Sequence, residues 1–344
     1  MATRRTALRH LALGLGVLAC GRALGQPAEG ATYVGIETGQ NGISQARFIA
    51  ASGRSRARLP LSFRAHGLAQ NGQTLVVFPR RPGNRFARVD CTNLELRDVV
   101  TAPDGRHFFG HGAFSADGQT LLVPENDLET LQGALGVYSM GAQARRLGMV
   151  PLPGPGPHEI VRAPLSDQFY IALGGLETHP DYGRVPLNLH DFRSQVLRYD
   201  LAKGVLEPLG FWGGSEGVSL RHLAHDRQGR LYVGGQVPGA RAGPVLWLVE
   251  GGQPRVLDAS TALGGYVSSV AADGGRALVS SKATGRVLTL EGADIVADVA
   301  WEGASAVALK GRAQAQAGFT LLRLGEDAWP APHGYEFDNH GLMY

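Results

Sequence analysis

Cysteine is scarce in this sequence: only Cys20 and Cys91 occur among its 344 residues. Removal of the N-terminal segment that contains Cys20 would leave Cys91 alone, so the sequence predicts no disulfide within the chain. A cysteine-based zinc site and an iron–sulfur cluster are excluded for the same reason. Apolar runs of about 18 residues or more are also lacking, so we expect no transmembrane segment.

A strong excess of charge of either sign is lacking too. The 33 lysines and arginines outnumber the 30 acidic residues, but four arginines lie in the first 25 residues, which contain no acid. Without that segment, 29 basic residues stand against 30 acidic ones, a net charge of −1. A nucleic-acid partner therefore has no electrostatic support from the chain as a whole. Hydrophobic residues make up 44% of the sequence, which excludes a disordered chain.

The first 25 residues have the features of an export signal. Arg4 and Arg5 lie in a basic stretch, residues 11–19 are mostly apolar, and residues 23–25 are small enough for cleavage. The paired arginines favour a twin-arginine signal, with an ordinary secretory signal as the alternative. Lipoprotein anchoring at Cys20 has only weak support, because Leu18 is bulkier than that pattern prefers. We therefore expect a periplasmic protein in which residues 26–344 form a single domain.

One pattern recurs along the chain with a period of about 45 residues. Each copy has an apolar stretch with a histidine, a polar turn that usually contains glycine, and a second apolar stretch. The histidines of four successive copies are His66, His111, His158 and His222, and a fifth copy has Ser268 or Ser269 in their place. The interval after His158 is longer than the others because it contains a polar insertion.

The repeat predicts a β-propeller. Two further strand-like runs lie between the copies, which gives four strands per repeat, and 49 glycines and 19 prolines suit many tight turns. Six copies extend from residue 64 to about residue 330. The leftover ends, residues 33–61 and 337–344, supply three strands and one strand of a further blade. We therefore predict an all-β, seven-bladed propeller closed by pairing of the N- and C-terminal strands.

Propeller geometry places the repeat histidines around the channel. The first strand of each blade lines the channel, so equivalent positions on successive blades face one another. His340 lies in the strand that completes the closing blade, so five of the eleven histidines would form a ring near one mouth. Several converging neutral imidazoles favour a transition metal or haem. Structural hydrogen bonding and the binding of an organic ligand are the alternatives.

Other polar residues are expected near the same mouth. Glu125, Asp127 and Glu159 could support a metal, although the first two could equally cap a turn. Candidates for binding a larger cofactor or ligand are two arginines beside ring histidines and two residues of the insertion: Arg64, Arg221, His179 and Arg184. The insertion, residues 177–188, is expected to fold over the mouth as a lid, a partner contact or a rigid plug.

Several short motifs give the chain a family resemblance. They are Gly110-His111-Gly112, Glu125-Asn126-Asp127, Gly156-Pro157-His158-Glu159, Arg221-His222-Leu223, Asp338-Asn339-His340 and the longer motif over residues 178–188. In these motifs the chain resembles the DUF1513 family of exported bacterial propellers of unknown function, with Leu173 and Phe337 as departures from the usual asparagine and tryptophan. The family is often encoded beside imelysin-like and di-haem peroxidase-like proteins. The resemblance thus implies periplasmic iron handling, with such proteins as partners.

These observations lead to one functional hypothesis and two rivals. We expect a periplasmic propeller that binds a transition metal, iron or copper, within an uptake system, with haem as an open alternative. One rival is a metal-dependent hydrolase or oxidoreductase, which would keep an open coordination position. The other is a scaffold for an imelysin-like partner, whose histidines would all be hydrogen-bonded. If metal binds, affinity is expected to fall as the pH drops through the ordinary histidine pKa near 6.5.

Overall fold

The computed structural model describes residues 31–183, 185–211, 217–239 and 243–343. The predicted export signal and Cys20 lie outside these residues, as does Arg184. Within them, 29 strands form seven antiparallel sheets. The seven-bladed propeller predicted from the repeat is confirmed. No helix of the described part is long and apolar enough to cross a membrane.

The first four blades follow one another along the chain. The strands of blades 1 and 2 are β1 (Ala31–Gly39), β2 (Ser44–Ala50), β3 (Ser55–Pro60), and β4 (Ala65–Asn71), β5 (Thr74–Pro79), β6 (Arg85–Asp90), β7 (Glu95–Thr101). Those of blades 3 and 4 are β8 (Arg106–Phe108), β9 (Ala113–Phe114), β10 (Thr120–Asp127), β11 (Gly133–Met140), β12 (Ala144–Pro151), and β13 (Pro157–Arg162), β14 (Gln168–Leu173), β15 (Gln195–Asp200), β16 (Val205–Phe211). A 3₁₀ turn over Pro180–Tyr182 lies in the insertion between β14 and β15.

Blades 5 to 7 repeat the same up-and-down arrangement. Their strands are β17 (Ser219–His225), β18 (Leu231–Gln236), β19 (Leu246–Glu250), β20 (Gln253–Val256), then β21 (Ser269–Asp273), β22 (Arg276–Ser281), β23 (Arg286–Glu291), β24 (Asp294–Ala300), and β25 (Ala306–Lys310), β26 (Ala313–Ala317), β27 (Leu321–Leu324), β28 (Asp327–Pro330). The short helix α1 (Ser260–Leu263) precedes blade 6.

The last strand, β29 (Tyr335–Met343), closes the ring. It pairs antiparallel with β1, with Val34 opposite Leu342 and Gly35 opposite Gly341. Blade 1 therefore takes its innermost strand from the C-terminus and its other three from the N-terminus, as predicted. The innermost strands contact one another in cyclic order, and β29 lies between β25 and β4.

Burial explains why the middle strands are continuous apolar runs. The residues Leu75, Val76, Val77 and Phe78 of β5 are all fully buried because both faces of the blade pack on neighbouring blades. The outermost strand β12 alternates between half-buried and exposed residues, since only one face packs. An aromatic cluster of Phe78, Phe86, Phe108 and Tyr138 fills the space between blades 2 and 3.

Candidate metal centre

Five histidine side chains converge inside the channel. In each of two groups of three, ligating nitrogen atoms lie within 4.8 Å of one another: His66, His111 and His340 form one, and His111, His158 and His222 the other. His111 belongs to both groups. The ring centroid of His340 lies 4.6 Å from those of His66 and His111. The predicted convergence of the five histidines is therefore confirmed.

An irregularity of the strand accompanies each of these histidines. The pairing register shifts on β4 between Ala65 and Leu68, on β13 around His158 and on β17 just before His222. The pairing of β29 with β1 shifts between Phe337 and Gly341, the stretch that contains His340. Bulges of this kind re-aim side chains. The innermost strands of blades 6 and 7, which carry no histidine, pair without a shift.

In blade 3 the innermost strand is interrupted, and His111 lies in the gap between β8 and β9. Gly110 adopts a φ of 103°, which favours glycine. A Cβ atom on Gly67 would lie 2.1 Å from the carbonyl oxygen of Gly110, so the two backbones meet closely at this point. Glycine at these positions brings the histidines of blades 2 and 3 together.

Two carboxylates hold three of the histidines. Oxygen atoms of Glu159 lie 2.9 Å from Nδ1 of His222 and 3.5 Å from Nδ1 of His111. An oxygen of Asp338 lies 3.0 Å from Nδ1 of His66 and also accepts from Arg80. A carboxylate on Nδ1 fixes the ring orientation and leaves Nε2 to ligate, as is usual around protein-bound metals. Asp338 was not predicted as a supporting residue, although it stands two residues before His340.

Other ring nitrogens are buried without a partner. Three of them form no hydrogen bond within the described residues: Nε2 of His111, Nδ1 of His158 and Nε2 of His340. An unsatisfied buried polar atom costs about 1–3 kcal/mol, so three in one cluster require an explanation. A metal ion in either group of three would ligate two of these residues, His111 with His340 or His111 with His158. The five histidines thus fit a transition metal in number, chemistry and position.

Burial keeps the imidazoles neutral. Removal from water lowers the pKa of His111 to about 3 and those of His158, His222 and His340 well below their ordinary value. Burial also lowers the pKa of His66, although the hydrogen bond and the charge of Asp338 oppose this effect. This corrects the expectation that protons compete with a metal near pH 6.5. In the folded protein that competition begins at lower pH.

The structure gives Glu125 and Asp127 partners away from the ring, which corrects their expected placement. Glu125 is fully buried inside blade 3, where it accepts from the hydroxyl of Tyr138 and from Arg146 at 2.8 Å each. Asp127 accepts from Arg106 and from the backbone N–H groups of the turn that follows β10. Both carboxylates therefore stabilise blade 3, and only Glu159 among the three predicted carboxylates reaches the histidines.

The insertion packs on the end of β10. Asn126 donates to the carbonyl of Thr178, and Asn188 ties the two ends of the insertion together. The Nδ1 of His179 accepts from the backbone N–H of Asp181 and begins the 3₁₀ turn. None of the described insertion residues lines the cavities next to the ring. Arg64 and Arg221, in contrast, line cavities at the mouth.

Open space adjoins the ring on both sides. A cavity of about 380 Å³ extends from His111, Glu159 and His340 along the innermost strands toward the far mouth. A smaller cavity of about 70 Å³ lies on the opposite side, against His66, His158 and His222. The histidines therefore lie between the two cavities.

The chain was compared with known protein families, with curated proteins and with solved structures. The family described as "Protein of unknown function (DUF1513)" matches residues 59–344. Among curated proteins, none matches the chain in sequence. A Kuenenia stuttgartiensis hydrazine synthase chain is 16% identical with a TM-score of 0.64, over 90% of this chain and 98% of that chain.

A chain in the crystal structure of a nidogen/laminin complex is also similar in fold. It is 12% identical with a TM-score of 0.57, over 91% of this chain and 98% of that chain. At such low identity these two likenesses concern the fold alone. The function has to be argued from the site.

Proposed function

The chain belongs to the DUF1513 family, and we propose that it is a periplasmic propeller whose histidine ring binds one transition metal ion for an uptake system. The observation that carries this proposal is the set of three buried, unpartnered imidazole nitrogens on His111, His158 and His340. A scaffold would be expected to satisfy these atoms with its own hydrogen bonds. The lack of such bonds within the described residues favours a ligand.

The donor set favours a divalent first-row metal. Its members are neutral imidazoles, which suit iron, copper, zinc and nickel, and the nearby carboxylates are engaged with Nδ1 atoms. Iron is the metal that we propose as cargo, because the family is associated with iron-regulated proteins. Cu(II) is expected to bind the purified protein more tightly than Fe(II), since the affinity of nitrogen-donor sites for divalent first-row metals is highest for copper. Selection in the cell would then depend on metal supply.

The two groups of three histidines imply a stoichiometry of one. Both groups need His111. Its Nδ1 faces Glu159, so Nε2 is the nitrogen left for a metal, and one nitrogen binds one ion. A metal in the first group would be held by His66, His111 and His340, and a metal in the second by His111, His158 and His222. We therefore expect one ion per chain, bound at one group or passed between the two.

Calorimetric titration tests the proposal. We expect Fe(II), added without oxygen, and Cu(II) to bind the wild type at pH 7.5 with one ion per chain. The double variant His111→Ala/His158→Ala should lose this binding, because it removes a member of the first group and two of the second. The matched control is His190→Ala/His333→Ala, which removes two exposed histidines. Equal binding by all three proteins, or none by the wild type, would overturn the proposal.

A metal-dependent enzyme is the second candidate. The cavity of about 70 Å³ beside His66, His158 and His222 would leave room for water or substrate at an open coordination position. Elemental analysis of the protein exported from its native host distinguishes a metal-uptake protein from a metal-dependent enzyme. A transport protein should be isolated with a variable metal content, whereas a resident catalytic metal should be retained near one equivalent through chelation.

A further inference from the structure

The small cavity against the ring has an unusual lining. Its lining consists of three ring histidines, the aromatic residues Phe109 and Tyr266, and four cations: Arg80, Arg81, Arg221 and Lys282. No carboxylate is among its lining residues in the described part of the chain. At about 70 Å³ it exceeds the roughly 10–15 Å³ that a single water requires, so a small polyatomic ligand fits. We call this cavity the vestibule.

Arg221 and Lys282 are the cations of the vestibule that lack an acidic partner among the described residues. Arg80 is paired with Asp338 at 3.1 Å. Arg221 and Lys282, in contrast, make no ion pair with any described residue, and Nε of Arg221 is buried with no hydrogen bond. Lys282 lies over the ring of Tyr266 with Nζ 5.4 Å from its centroid. A partly buried guanidinium without a counter-charge is costly, and a bound anion would reduce that cost.

The electrostatics of the ring point in the same direction. Neutral imidazoles bring no negative charge to a divalent ion. The two carboxylates at the ring, Glu159 and Asp338, contact Nδ1 atoms of ring histidines, and the vestibule adds cations beside the ring. A pocket with positive charge on several sides and low-dielectric walls concentrates anions. The vestibule would therefore repel a free cation. It is a poor route of entry for a bare metal ion and a good site for a negatively charged ligand.

We propose that the vestibule binds a small anion, an oxyanion or a carboxylate, which completes the coordination of the metal held by the ring. This inference rests on the proposed function. Arg221 and Lys282 are the recognition residues, because neither forms an ion pair within the part of the chain that the structure describes. The metal then enters from the larger cavity on the opposite side of the ring or arrives already paired with the anion.

Azide binding to the copper-loaded protein tests the inference. Azide gives a charge-transfer absorption when it coordinates Cu(II), and bicarbonate serves as the competing oxyanion. We expect azide to bind the copper-loaded wild type, with bicarbonate displacing it. Loss of one charge-assisted hydrogen bond should weaken azide binding by about tenfold or more in Arg221→Gln and in Lys282→Gln. Their affinity for Cu(II) should not fall, because both variants keep all five histidines and lose a positive charge that repels the metal ion.

The control is Lys310→Gln, which removes an exposed charge at the far end of β25. It should bind azide like the wild type. Lys282→Gln carries the test if Arg221→Gln does not fold, as judged by circular dichroism. Copper binding with the same azide affinity in every variant would overturn this inference alone. Failure of the wild type to bind copper would overturn the proposed function and this inference with it.

Discussion

Glu159 and Asp338 determine which nitrogen of three ring histidines faces the centre. Each occupies Nδ1, so Nε2 is left for a ligand. Two other histidines, the buried His107 and the half-buried His225, show the contrasting, structural arrangement. Their Nδ1 atoms lie 3.1 and 2.8 Å from a neighbouring backbone carbonyl oxygen. The ring histidines thus differ from ordinary structural histidines in having carboxylate partners and unpartnered nitrogens.

Neutralising Glu159 should weaken metal binding. Glu159→Gln keeps the shape of the side chain but removes the charge that orients His222 and supports His111, and such changes cost about 10- to 100-fold in metal affinity. Asp127→Asn is the matched control, because Asp127 interacts with Arg106 and a turn. Titration with Cu(II) should show a lower metal affinity for Glu159→Gln than for Asp127→Asn. Equal affinities would contradict the role given to Glu159.

Stability without metal should fall as the pH drops below about 6.5. Unfolded histidines take up protons near that pH, whereas burial lowers the pKa of the ring histidines and keeps them neutral in the folded state. The unfolded state then binds more protons, so the free energy of unfolding decreases by up to about 1.4 kcal/mol per pH unit for each histidine. Denaturant titrations of the metal-free protein at pH 7.5, 6.5 and 5.5 measure this free energy of unfolding. A constant free energy across this range would show that the ring histidines take up protons as readily in the folded state as in the unfolded state.

At the level of the strands, the bulges convert a regular repeat into a binding site. The repeat alone places equivalent residues on successive innermost strands, but a regular register would leave some of them directed between blades. The shifts on β4, β13, β17 and β29 and the gap in blade 3 bring all five histidines inward. The innermost strands of blades 6 and 7 lack both the histidines and the shifts.

Substitution of Gly67 should damage both the fold and the site. A methyl group there would meet the carbonyl of Gly110 at 2.1 Å, so blades 2 and 3 would have to separate next to His66 and His111. We expect Gly67→Ala to cost about 1–3 kcal/mol of stability. Gly148→Ala, on the outermost strand β12, has nothing within 4 Å and should be nearly neutral. Thermal unfolding compares the two, and equal melting temperatures would contradict the close approach.

The sequence predicted the strands well and their irregularities not at all. Apolar runs, polar turns and their period depend on local sequence, so they revealed the blades and the positions of His66, His111, His158 and His222. A bulge depends on how a strand pairs with its neighbour, which no single stretch of sequence reveals. The partners of Glu125 and Asp127 were missed for a similar reason, since Arg146 and Arg106 are distant in the chain.

At the level of the whole molecule, the strand that closes the propeller also completes the site. β29 pairs with β1 and contributes Asp338 and His340 to the centre formed by blades 2 to 5. A metal held by His66, His111 and His340 would therefore link the closing strand to blades 2 and 3. The closure itself followed from the leftover ends of the sequence. Its role in the site depended on three-dimensional register.

Metal binding should therefore slow hydrogen exchange in the closing blade. With Cu(II) added, amide groups of β29 and of its partner β1 should exchange more slowly, because a ligand of the folded state suppresses local opening. Peptides from β22 to β28 in blades 6 and 7 serve as the internal control and should exchange unchanged. Equal slowing throughout the ring would indicate global stabilisation, and no slowing in β29 would exclude His340 from the centre.

X-ray absorption spectroscopy of the metal-loaded protein tests the histidine centre most directly. The account predicts one bound ion surrounded by at least three imidazole nitrogens at about 2.0–2.1 Å, the distance typical of first-row metals such as zinc. The imidazole scattering should disappear in His111→Ala/His158→Ala. A shell made of oxygen atoms, or a shell with one imidazole that persists in the double variant, would contradict the account.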